Sequence, residues 1–183
     1  MQNLFGTATD LFSIQQVFTA FFLASLISLF SYKFNFLTFS GAVSVFIMDD
    51  VIFMFGGWKW TTPMVTFFIL SSLISKYNKV KNVGGGISEK NDKRDLTQVF
   101  ANGGFAAILI VSNFFCSSEL FYVAFVSSIA AACADTWGTE IGTFIKGKTV
   151  NILNFKKITP GISGGVSAAG TIGGICGAFT IAI

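Results

Sequence analysis

The chain has 183 residues, 52% of them hydrophobic and 11% charged, with a mean hydropathy of +0.70 and a formal net charge of +3. An ordinary soluble domain carries roughly 25% charged residues, so composition excludes that class and supports an integral membrane protein. No histidine occurs, which removes Ser/His and Cys/His nucleophilic catalysis and the commonest zinc sites.

The basic residues gather in two loops and not along an aromatic-interleaved face, so the charge gives no indication of nucleic-acid binding. Cys116, Cys133 and Cys176 lie in or at the edges of apolar segments without metal-ligand spacing, and read as small buried hydrophobes. Any catalysis must therefore rest on carboxylates, lysines, amides, hydroxyls and a hard metal ion.

A spanning helix needs about 20 mostly apolar residues. Six segments approach that length, predicting an all-α, polytopic transmembrane bundle of about six helices in one domain, 1–183. The first, Leu11 to Phe30, lacks a basic leading region and has Gln15 and Gln16 in its core, so it reads as a mature helix and not a signal peptide. The second, Phe36 to Gly57, contains Asp49 and Asp50. These acids either end a short helix at the outer interface or face a polar cavity; the interface is favoured, because Phe55-Gly56-Gly57-Trp58 follows as an aromatic anchor.

The third segment, Thr61 to Tyr77, opens into a lysine-rich loop near 76–97 in which Gly84-Gly85-Gly86 reads as a flexible linker. The end of that loop leads into the fourth segment, Gln98 to Phe115. In a helix, Asp95, Gln98 and Asn102 stand at i, i+3 and i+7 on one face, with Arg94 one position round. A helix cap is the plain alternative for Asp95.

The fifth segment, Leu120 to Thr136, ends in Asp135 and Glu140. On a continuous helix these diverge by about 140°, but Gly138 is expected to break or bend the helix and turn both toward one site. Their oxygens, with the hydroxyls of Thr136 and Thr139, suit Mg²⁺, which leaves room for substrate phosphates.

A second loop, 138–163, carries Lys146, Lys148, Lys156 and Lys157 and leads to the sixth segment, Gly164 to Ile183. The stretch containing Gly161, Ser163, Gly164, Gly165 and Ser167 precedes a helix amino terminus and suits an anion. Gly170 with Gly174 and Gly173 with Gly177 are helix-packing pairs. The two basic loops place the motif-bearing ends in the cytoplasm. The chain stops at Ile183 while still apolar, and a short form or fragment lacking a further carboxyl-terminal segment is expected.

Carboxylates, amides, lysines and a glycine-rich cradle on one membrane face suit phosphoryl transfer to a lipid. The motifs RDLTQVFANGG (Arg94–Gly104), ADTWGTEIG (Ala134–Gly142) and PGISGGVSAAGT (Pro160–Thr171), in this order, resemble the integral-membrane family called domain of unknown function 92. That family includes transmembrane protein 19 and the plant phytyl-phosphate kinase of vitamin E synthesis. The resemblance implies a kinase that converts an isoprenoid monophosphate to its diphosphate with a nucleoside triphosphate, CTP being one candidate, and Mg²⁺.

On this reading Asp135 and Glu140 hold Mg²⁺, Asn102 and Gln98 orient phosphate or ribose, and Arg94, Lys156 and Lys157 neutralise charge; Asp95, Thr136 and the glycine stretch join the site. The expected partners are an isoprenoid phosphate, a nucleotide, the bilayer and a second copy of the chain. A lipid cytidylyltransferase and a membrane transporter are the alternatives.

Overall fold

The computed structural model describes residues 13–81, 93–145 and 147–183, with the side chains of 79–81 left out. The expected Gly84–Gly86 linker, Lys90 and Lys146 lie outside the described residues. Five helices and one two-stranded sheet make up the described part, so the all-α class holds. Four helices are long and apolar enough to cross a membrane.

Helix α1 (Ile14–Lys33) starts at Ser13, whose Oγ accepts from the Gln16 N–H at 3.1 Å. Its buried residues, Ala20, Ala24, Ser28 and Ser31, recur every three or four positions as a small-residue stripe. Phe18, Phe22, Leu29 and Phe30 remain exposed. In hydrocarbon those side chains lose nothing by exposure, and close packing of small residues replaces the hydrophobic drive of a soluble core.

Helix α2 (Phe39–Lys81) has 43 residues. At 1.5 Å per residue that is about 65 Å, roughly twice the hydrocarbon thickness. Gly57 divides it with φ 58° and ψ −155°, a backbone conformation open essentially to glycine alone. The segments expected over 36–57 and 61–77 are therefore joined at a single glycine. The remaining helices are α3 (Leu96–Phe115), α4 (Glu119–Phe144) and α5 (Ala168–Ala182); strands β1 (Thr149–Asn151) and β2 (Gly165–Ser167) precede α5. The last apolar segment turns helical only at Ala168, because Gly165 to Ser167 is paired as a strand.

Two compact units divide the described residues. The first takes α1, α2 up to Thr62, α3 and the start of α4. Within it α1 lies antiparallel to α2: Ser28 Oγ donates to the Ala42 carbonyl at 2.7 Å and Gln16 Nε2 to that of Met54 at 2.9 Å. Phe21 meets Phe46 edge to face between these levels. Helix α3 runs parallel to this part of α2, with Gly41 beneath the Arg94 carbonyl and Gly56 against Ile110. Asp49 is 8% exposed in this unit's core. The helix continues about two turns past it to Gly57, so Asp49 is interior and does not sit at the interfacial helix end that the sequence favoured.

The second unit takes α2 from Pro63, α4 from Val123, the sheet and α5. Phe125, Ile129 and Cys133 recur every four residues and are fully buried. Helix α5 lies antiparallel to α4 through its glycines. A Cβ at Gly170 would stand 2.8 Å from the Gly138 carbonyl oxygen, at Gly174 3.1 Å from that of Ala134, and at Gly177 2.9 Å from that of Cys133. Only glycine admits so close an approach of backbone to backbone.

Candidate functional site

The ADTWGTEIG motif lies on the unbroken helix α4, and its residues divide by face. Toward α5 it presents Ala134, Gly138, Ile141 and Gly142. Toward α2 it presents Trp137, whose Nε1 donates to Ser71 Oγ at 3.1 Å, and Glu140. Glu140 Oε1 accepts from Ser75 Oγ at 2.5 Å, and Oε2 accepts from Asn78 Nδ2 at 2.8 Å; the same amide also reaches the Glu140 carbonyl at 2.9 Å. The third face carries Asp135, Thr139 and Thr143, all exposed and spaced by four. Asp135 makes no hydrogen bond or ion pair among the described residues. Thr136, half-buried, stands beside this stripe.

The stripe ends at the glycine turn. A Cβ on Gly161 would stand 3.7 Å from Thr143 Cγ2, and Thr143 lies about 12 Å along the helix from Asp135. Gly161 and Gly164 have φ of 89° and 79°, which glycine adopts without steric cost. The turn belongs to a small β element that sequence periodicity did not reveal. Val150 pairs with Val166 and, on its other side, bridges to Lys157. Lys156 and Lys157 are therefore fixed on the same element as Gly161, Ser163 and Gly164, and both are exposed.

Part of the expected cradle is already occupied. The Gly165 N–H donates to the Ile162 carbonyl at 3.0 Å, and Ser167 caps α5 by accepting from the Gly170 N–H at 3.1 Å. Ser163 is exposed beside them.

In the first unit, Asp95 is the N-cap of α3, its Oδ1 accepting from the Gln98 N–H at 2.9 Å. The Arg94 backbone is clamped between the ends of α1 and α2: its N–H donates to Phe36 O at 3.0 Å, and its carbonyl accepts from the Thr38 N–H at 3.1 Å. Lys93 Nζ donates to Asn35 Oδ1 at 2.6 Å. Gln98 is exposed and Asn102 half-buried one turn further on. The arrangement fixes where α3 begins and presents the amides of Gln98 and Asn102 from its first two turns.

The sequence profile of the integral membrane protein family DUF92 matches residues 22–183. The chain belongs to this family. An uncharacterized membrane protein of Methanocaldococcus jannaschii is 28% identical over 168 residues, covering 92% of this chain and 69% of that protein. Protein PGR of Arabidopsis thaliana is 28% identical over 182 residues, covering 90% of this chain and 62% of its own length. The chloroplastic protein VTE6 of the same plant is 25% identical over 150 residues, covering 78% of this chain and 45% of its own length. No solved structure matches.

In this DUF92 chain Asp135 and Glu140, expected to converge on one Mg²⁺, lie on different faces of α4. Gly138 leaves α4 straight and serves its packing on α5, so Asp135 and Glu140 point about 140° apart. Glu140 is taken up by Ser75 and Asn78. Among the described residues no three acidic or cysteine side chains gather around one point. The polar partners of the motif were missed from sequence, although Ser71, Ser75 and Asn78 recur at i, i+4 and i+7, a polar stripe on an otherwise apolar segment.

Proposed function

We propose that this DUF92 chain is a membrane-embedded kinase that phosphorylates an isoprenoid monophosphate to its diphosphate, using a nucleoside triphosphate. The observation that carries the reading is the exposed line Asp135, Thr139, Thr143 running into the glycine turn that also holds Lys156 and Lys157. Hydroxyls, backbone N–H groups at positive-φ glycines and two ammonium groups are phosphate-binding chemistry. Their place at the end of an apolar helix suits a phosphate attached to a lipid. The family resemblance of the three motifs supports the same reaction.

In the proposed reaction an oxygen of the isoprenyl monophosphate attacks the γ-phosphorus. The bond from that phosphorus to its bridging oxygen breaks, and the nucleoside diphosphate leaves. A phosphate monoester with a second pKa of about 6 is largely ionised near neutral pH, so no general base is needed and the absence of histidine is no obstacle. Catalysis then rests on positioning and charge neutralisation. Within the second unit, Lys156 and Lys157 neutralise phosphate.

Mg²⁺ arrives as the counter-ion of the nucleotide and is part of that substrate. Asp135 is assigned to the substrate complex, as the motif's one carboxylate outside the helix seam. The basic loops and the nucleotide are assigned to the cytoplasmic side. The test is turnover with isoprenyl monophosphates and each nucleoside triphosphate. Asp135→Asn is expected to lower kcat by about a hundredfold or more; near-parental turnover in that variant would remove Asp135 from the site.

A further inference from the structure

Between the last turns of α2 and α4, in the second unit, lies an open groove of about 700 Å³, within the range of small-molecule sites. Leu73, Ile74 and Tyr77 line it from α2, Ile141 and Phe144 from α4, and Ile145 from just past the end of α4. The spacings i, i+1, i+4 and i, i+3, i+4 turn each trio to one side of its helix. Tyr77 and Phe144 meet at 5.8 Å between ring centroids.

The polar side chains of Ser75 and Asn78 beside the groove are both engaged by Glu140; Asn78 and Lys76 are polar residues in a lining that is otherwise largely hydrocarbon. A site with an apolar body and one ammonium group, close to the end of a membrane helix, complements an amphiphile with an anionic head. The Glu140 contacts tie α2 to α4 beside the groove.

We infer that this groove seats the isoprenyl chain of the acceptor, with Lys76 at its phosphate. This rests on the kinase reading for the identity of the head group, and extends it to a named seat for the tail. Two of the lining residues, Leu73 and Ile145, are 52% and 50% exposed, so each can be enlarged without entering the core. The seat predicts selectivity by chain length, because each isoprene unit placed in the groove adds apolar contact, and one methylene alone changes specificity by about tenfold or more.

The experiment uses the full chain in nanodiscs. A benzophenone-bearing farnesyl monophosphate is photocrosslinked and the labelled peptides are mapped. KM is measured in parallel for farnesyl monophosphate and for the short acceptor isopentenyl monophosphate, in the parent, Leu73→Trp, Ile145→Trp and Lys76→Gln. The expected result is label within 73–77 and 141–145, competed by farnesyl monophosphate and not by phosphatidylcholine. The Trp variants should raise KM for the farnesyl substrate about tenfold or more while that for the isopentenyl substrate stays within about twofold; Lys76→Gln should raise both.

Label elsewhere with phosphoryl transfer intact would overturn the groove and leave the kinase standing. Competition by phosphatidylcholine equal to that by farnesyl monophosphate would also overturn it, identifying a bulk-lipid contact. Specific label in the groove without transfer to any acceptor would support the seat while the kinase reading fails.

Discussion

Replacing Glu140 by Ala separates the two acids of the central motif. In the folded second unit the Glu140 carboxylate accepts from Ser75 at 2.5 Å and from Asn78 at 2.8 Å. Without it, Ser75 can turn its hydroxyl to the carbonyl one helical turn earlier, as Ser44 and Thr61 already do. Asn78 keeps its 2.9 Å bond to the Glu140 carbonyl. The net loss is thus closer to one charge-assisted hydrogen bond than to two. Such a bond is worth about 1.5–3 kcal/mol in water-soluble folds, while bonds between membrane helices average about 0.6 kcal/mol, which puts the cost at about 1–2 kcal/mol. Asp135→Asn touches no partner and should stay within about 0.5 kcal/mol of the parent. Reversible unfolding in mixed micelles, followed by far-ultraviolet circular dichroism, measures both. Equal losses in the two variants, or none in Glu140→Ala, would refute the division of α4 into a packing acid and a surface acid.

Four further outcomes are expected. Gly177→Ala should destabilise by about 1–3 kcal/mol, because its Cβ would meet the Cys133 carbonyl at 2.9 Å. Gly104→Ala, where the nearest atom is 3.5 Å away on Phe100, should stabilise by about 0.5–1 kcal/mol through helix propensity; the same unfolding assay must give opposite signs. Asp49→Asn should raise stability by up to about 1 kcal/mol, since it takes a charge-forming group out of an apolar core; a loss of that size would reveal a partner for the carboxylate. Gly161→Ala should lower turnover about tenfold by straining a backbone at φ 89°, with thermal unfolding changed by no more than a few degrees, and unchanged kinetics would dissociate the turn from the site.

The membrane class and the helical segments were legible because apolar length is a strong signal and lipid forbids unpaired backbone. The glycine pairs of the last segment were legible for a similar reason: small residues four apart have few other uses in lipid. What misled was Gly138, read as a helix breaker. Spacing cannot tell a glycine that bends a helix from one that lets a neighbour approach, and here the neighbour is Gly170, whose carbonyl oxygen lies 3.3 Å from where a Cβ would stand. Asp49 misled through the aromatic and glycine residues after it, which mimic an interfacial ending while the helix runs on to Gly57. The β element around Val150 escaped notice because three-residue strands carry no periodicity to read. Asp95 carried both readings in its sequence, and the geometry gives its cap.

Phosphoryl transfer itself is tested most directly by following two labels. The purified chain is incubated with geranylgeranyl monophosphate, Mg²⁺ and CTP carrying radiophosphorus at either the γ or the α position, and the lipid products are separated. The account predicts that γ label enters a lipid diphosphate, that α label does not, and that the product is lost in Asp135→Asn. Incorporation of the α label would mean that the nucleotide itself is transferred, and no label in lipid from any nucleoside triphosphate would contradict the kinase.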